Sequence, residues 1–210
     1  MHISEGVLSA PVLITGAIGA IACVAYGLRK IDHDRIPEAA ILSSAFFVVS
    51  FIHVPIGPSS VHLVLNGLMG LLLGWIAFPA ILVALIFQAI LFQFGGITSL
   101  GVNTLVMGIP AVIVYYLCNN QIRSENMAAA SIFAFLAGAL GVFLAGLLMA
   151  TSLVFTGESF IQIAKLTIIA YMPIMLIEGI ITTVSINFLK KVKPEILGIA
   201  YAARYSCLED

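Results

Sequence analysis

Polar punctuation cuts the chain into seven apolar stretches: Val7 to Leu28, Glu38 to His53, Val61 to Ala77, Pro79 to Phe94, Thr104 to Asn119, Met127 to Phe155 and Ile163 to Leu189. A helix that crosses the hydrocarbon core of a bilayer needs about 20 apolar residues, with a range of ~17 to 25. The pattern therefore predicts a bundle of seven transmembrane helices, of which the second and fourth are short. The break at Trp75-Ile-Ala-Phe-Pro79 is the weakest, and it leaves open whether the third and fourth stretches form a tight hairpin or one bent helix.

Charge placement predicts the orientation, because cytoplasmic loops carry an excess of Lys and Arg. With the N-terminus outside, the cytoplasmic segments hold Arg29, Lys30, Arg35, Arg123, Lys190, Lys191, Lys193 and Arg204, and only Lys165 falls on the outer face. This distribution favours an odd number of spans with the C-terminus cytoplasmic. Three segments then share the external side: the N-terminal MHISEG (residues 1–6), the loop at about 54–60 within HVPIGPSSVH, and the loop at 95–103 within GGITSLGVNT. Irregular backbone near membrane depth is tolerated where it is buried in protein or lines a wet cavity, so the three are expected to meet over the bundle.

Composition agrees with a membrane protein. Of 210 residues, 61% are hydrophobic and 9% charged, against about 25% charged in a soluble domain. A net charge of −1 provides no basic surface for nucleic acid. Cys23, Cys118 and Cys207 are far apart, without a CxxC, and read as packing residues. The N-terminus lacks the positive flank of a signal peptide, and its apolar run is too long for one. The whole chain is expected to be a single transmembrane domain, all-α, multi-pass, in a prokaryotic cell membrane.

Candidate chemistry is confined to a few groups. His33 lies in the charged RKIDHDR and reads as solvated, whereas His2, His53 and His62 fall on the external face. Neutral imidazole is a common ligand of first-row transition metals. At position two a histidine gains more: the amine of Met1, the peptide nitrogen between Met1 and His2, and the imidazole of His2 can close two fused chelate rings around one ion. A fourth nitrogen would complete a square, a geometry that favours Ni(II) or Cu(II), with Co(II) accessible, over tetrahedral Zn(II). His62 is the favoured fourth ligand. It is expected to open the helix HLVLNGLMGLLLG, which would place Asn66 on its face four residues on, able to orient the imidazole. His53 is the alternative ligand, or a residue of the rim.

In GGITSLGVNT, Asn103 is expected to hold backbone groups of the N-terminal segment near the metal. Glu178 is the one acid well inside a span, and an intramembrane carboxylate is a functional hypothesis by default; its partner is not evident from the sequence. Gly16xxxAla20 and AFLAGALGVFLAG (Ala134 to Gly146) place small residues where helices approach closely.

MHISEG, HVPIGPSSVHLVLNGLMGLLLG and GGITSLGVNT together resemble the CbiM/NikM substrate-binding components of energy-coupling factor transporters, which import cobalt or nickel. The resemblance extends from Met1 through the last span. It implies a seven-helix bundle with the N-terminal segment tucked inside, and a cobalt or nickel ion held by Met1, His2 and His62, with Asn103 in support. It implies partners as well: a transmembrane coupling subunit, ATP-binding cassette ATPases and, in some systems, a small accessory membrane protein. The chain has no GxxxxGK[ST] phosphate loop of its own, so ATP hydrolysis would belong to those partners and the chain would not be an enzyme. A self-sufficient metal channel or secondary carrier is the alternative. A metalloenzyme would require a motif such as HExxH, which is absent.

Overall fold

In a computed structural model of the chain, residues 2–56 and 59–199 are described, with side chains described outside 53–61. Met1, Arg204 and Cys207, and part of the 54–60 loop, lie outside those residues. Seven α-helices follow one another: α1 Ala10–Leu28, α2 Ile36–Val49, α3 Asn66–Leu73, α4 Ala77–Phe92, α5 Leu100–Ile122, α6 Met127–Thr156 and α7 Ile161–Val192. A small antiparallel sheet sits at one end of the bundle, formed by β1 His2–Ile3, β2 His53–Ile56 and β3 Ser59–His62 in the order β1-β3-β2.

Five helical stretches are long and apolar enough to cross a membrane: Ala10–Leu28, Asn66–Phe92, Leu100–Ile122, Met127–Thr156 and Glu158–Val192. The expected count of seven is thus not reached by length. The fourteen residues of α2 rise only ~21 Å against a hydrocarbon core of ~30 Å. Asn66–Phe92 is divided in turn at Gly74, whose backbone (φ 56°, ψ −124°) suits only glycine. Before the break Gly70 abuts Ala111, and Gly74 abuts Tyr115; after it Phe78 abuts Gly108, and Gly95 abuts Asn103. The chain runs parallel to α5 along α3 and antiparallel to it along α4, so the segment around Trp75 is a hairpin and not a bent helix.

Three expected boundaries are corrected. The second helix ends at Val49 and not at His53, the third begins at Asn66 and not at Val61, and the fifth begins at Leu100 rather than Thr104. Both of the first two shifts come from the sheet. Val54, Ile56 and Val61 favour extended backbone, and Pro55, which lacks a backbone donor, lies on β2, an edge strand where it interrupts no ladder.

The exposed and buried faces of α7 show what the fold is solvated by. Ile169, Met172, Leu176, Ile180, Val184 and Phe188 are exposed, while Thr167, Tyr171, Glu178 and Thr182 are buried. The outer face is the more apolar, as for a helix surrounded by acyl chains rather than water. Small residues bring the inner faces together. A Cβ on Gly138 of α6 would lie 2.4 Å from the Glu178 carbonyl oxygen of α7 and 2.7 Å from Thr182 Oγ1, and Gly16 of α1 meets Val102 of α5 in the same manner. The small-residue motifs thus serve packing within this chain.

The two ends of the bundle differ in charge. Opposite the sheet, Lys190 Nζ donates to the carbonyls of Ile122 (2.9 Å) and Ser124 (2.6 Å), and Arg35 Nη2 donates to Leu72 (2.5 Å). These cations satisfy the C-terminal carbonyls of α5 and α3, where the helix dipole is negative.

Replacing Gly138 by alanine is expected to force α6 away from α7 and to cost about 1–3 kcal/mol, the range for overpacking a filled interior. Gly157→Ala, whose Cβ would meet only Ser159 Oγ at 3.8 Å, is expected to stay within about 0.5 kcal/mol of the parent. Thermal unfolding in detergent checks both.

Candidate metal centre

Three elements place the candidate ligands. β3 is the central strand; it pairs with β1 through His2↔Ser60 and Ile3↔Ser59, and with β2 through His53↔His62. His2 on one edge and His53 on the other therefore flank the strand that ends in His62.

The N-terminal strand is clamped by α5. Ile3 N–H donates to Asn103 Oδ1 (3.0 Å), while the Ile3 carbonyl accepts from Ser99 Oγ (2.9 Å) and Asn103 Nδ2 (3.3 Å). Asn103 Nδ2 also donates to Ser99 Oγ at 3.2 Å, and Glu5 N–H donates to the Gly95 carbonyl at 2.8 Å. Ser99 and Asn103 stand four residues apart at the start of a helix, so they share a face. One amide side chain thus takes both main-chain groups of Ile3, and the residue before it is delivered to the site. A side chain at Gly95 would press on this clamp, since its Cβ would lie 3.0 Å from Asn103 Nδ2 and 3.7 Å from His2 Nδ1.

His2 and His62 are 3% and 1% exposed, and their ring centroids are 4.6 Å apart at an interplanar angle of 31°. With metal–nitrogen bonds of about 2.0 Å and a centroid ~1.1 Å behind each bonded nitrogen, imidazoles at adjacent corners of a square lie ~4.5 Å apart. The same bonds give about 5 Å for a tetrahedron and ~6 Å for opposite corners. The observed spacing fits adjacent square corners. Phe94 closes one side, its ring stacked 6.2 Å from that of His2. Among the described residues no three His, Cys, Asp or Glu side chains converge on one point.

His62 does not open a helix; it ends a strand. Its Nδ1 lies 2.6 Å from the Leu63 carbonyl, an acceptor only, so Nδ1 carries the hydrogen and the lone pair of the neutral ring resides on Nε2. The helical relation expected between His62 and Asn66 is accordingly lost. Asn66 is the first residue of α3 and fully buried, and its amide makes no hydrogen bond among the described residues. For His53 the described feature is its backbone position opposite His62.

Glu178 finds its partners here. Its carboxylate accepts from the amides of Val64 and Leu65, the latter at 2.8 and 3.0 Å to its two oxygens. Leu65 is the N-cap of α3, held at φ 54°, so α3 is capped by a carboxylate from α7. Both amides thereby gain an acceptor, which lies at the positive end of the helix dipole. The capping role, together with the contributions of Ser99 and Phe94, was not evident from the sequence. Only the oddity of an acid within a span pointed toward Glu178.

Residues 2–196 match the family model described as the CbiM cobalt uptake substrate-specific transmembrane region. A Haemophilus influenzae protein named for metal transport is 42% identical over 199 residues, covering 94% of this chain and 97% of its own. The cobalt transport protein CbiM of Clostridium tetani is 32% identical over 209 residues, with 91% and 85% covered. An Archaeoglobus fulgidus chain named as a fused nickel transport protein, NikMN, is 30% identical over 213 residues, with 94% and 68% covered. A crystal structure of a transition metal transporter superimposes with a TM-score of 0.75 at 24% identity, over 96% of this chain and 98% of that one, which establishes a shared fold.

Asn103→Ala removes the clamp on Ile3. Hydrogen exchange at the Ile3 amide is expected to accelerate about tenfold or more, equivalent to ~1.4 kcal/mol of lost anchoring, with amides in the middle of α6 unchanged.

Proposed function

Because the chain belongs to the CbiM family of substrate-specific transmembrane regions for cobalt uptake, we propose that it captures Co(II) or Ni(II) as the substrate-binding component of an energy-coupling factor importer. It is a multi-pass membrane protein of a transport family. The observation that carries the proposal is the buried His2–His62 pair at the spacing of adjacent square corners. In this reading the amine of Met1 and the amide nitrogen of His2 fill two further corners and His62 Nε2 the fourth, with the ion as cargo. Four nitrogens in a plane suit Ni(II) somewhat better than Co(II).

The clamp on Ile3 fixes the direction in which the chelate faces, and burial excludes water from the ring nitrogens. Binding would release the protons of the amine and amide. A site on the outer face accords with the basic residues gathered at the opposite end. The coupling subunit, the ATPases and any small accessory protein would supply the force for transport. A channel or secondary carrier would carry ions without them.

Extending the chain ahead of Met1 is expected to abolish high-affinity binding, since the amine becomes a peptide nitrogen. Titration calorimetry with Co(II) and Ni(II) tests this, and an extended variant that binds as tightly as the parent would sink the proposed chelate. His62→Ala is expected to cost more than the ~10- to 100-fold typical of losing a supporting contact. Metal uptake in cells lacking the ATPases is expected to fall to background; sustained flux there would favour the channel.

A further inference from the structure

We propose that Glu178 sets the donor strength of His62 through a single intervening peptide group. The inference rests on the reading of His62 as a ligand. His62 Nδ1–H donates to the carbonyl oxygen of Leu63. That carbonyl and the N–H of Val64 are the two ends of one peptide unit, coupled by amide resonance. At its other end the Val64 N–H donates to Glu178 Oε1. Carboxylate, peptide and imidazole are therefore joined in line.

Each step acts in the same direction. A carboxylate at the N–H draws the peptide's electrons toward the carbonyl oxygen, which becomes the stronger acceptor. A stronger acceptor at Nδ1–H leaves more electron density on Nε2. Where a carboxylate touches a ligating histidine directly, the contact raises ligand basicity and fixes the tautomer; here a peptide transmits it. Burial strengthens the polarisation along the chain of bonds: Glu178 and Val64 are 0% exposed and His62 1%.

The same arrangement balances charge. Among the described residues the one ion pair is Arg35–Glu38, so no Lys or Arg neutralises Glu178. A divalent cation arriving at Nε2 would provide the opposite charge along the relay. Glu178 is a positioning and tuning residue in this account, acting through His62 without touching the ion.

Glu178→Gln separates tuning from capping, because the amide oxygen of glutamine can still accept from Val64 and Leu65 while the charge is gone. The metal-free variant is expected to unfold close to the wild-type temperature. Its affinity for Ni(II) and Co(II) is expected to fall about 10- to 100-fold, as for lost outer contacts to ligands, with the visible ligand-field band of bound Ni(II) moved to longer wavelength. In the metal-free protein the His62 Nδ1–H proton resonance should move upfield, reporting a weaker hydrogen bond. Glu178→Asp, which keeps the charge, should restore most of the affinity and the resonance, and it stands in if the glutamine variant misfolds. In a His62→Ala background the glutamine substitution should change affinity no further. The relay is overturned if E178Q binds as the wild type does, if its loss persists without His62, or if aspartate does no better than glutamine. If the wild type itself binds neither ion, the ligand reading fails, while the Nδ1–H resonance still decides the relay.

Discussion

The structure turns on a carboxylate that caps a helix inside the bundle. An eight-residue helix buried on every side starts with amide groups that have no partner of their own, and in a bilayer no water reaches them. Glu178 satisfies two of the amides at this entry, at Val64 and Leu65. Without it α3 would begin with unpaired donors in an apolar interior, and its start would drift along the run from Val61 to Leu73. With it, the strand ends and the helix begins at defined residues, and His62 falls on the strand side. The packing of α6 on α7 at Gly138, directly beside the Glu178 backbone, keeps the carboxylate at the right depth.

Much of the fold is legible in the chain because hydrophobic length is a strong signal. The runs that became α1, α6 and α7 stand out, and the basic residues that gather at one end of the bundle are visible as clusters. The stretch from His53 to Leu73 was misread because apolar residues continue through it without a break in hydropathy, and a short apolar run does not distinguish strand from helix by periodicity. What decides between them is a contact with a residue 113 positions away. Its partners are backbone amides, which leave no trace in the sequence.

Of the candidate site, His2, His62 and Asn103 were legible by chemistry. Imidazoles without competing donors stand out on a face, and an amide in a glycine-rich loop invites main-chain bonding. The structure brings the rings of His2 and His62 together and bonds Asn103 to Ile3, the residue after His2. Ser99 could have been found from its spacing to Asn103. Phe94 could not, because an aromatic at the end of an apolar helix has too many ordinary uses. Asn66 shows the opposite error: its spacing from His62 is that of one helical turn, but the turn is absent.

The strand order β1-β3-β2 makes the two histidines mechanically unequal. β3 has a neighbour on each side and continues into the capped helix, so displacing His62 disturbs two ladders and the interior of the bundle. β1 has one neighbour and two residues, so displacing His2 breaks a single short ladder and the Asn103 clamp. The site is a vice with one fixed jaw and one hinged jaw, and an opening motion is borne by the hinged side.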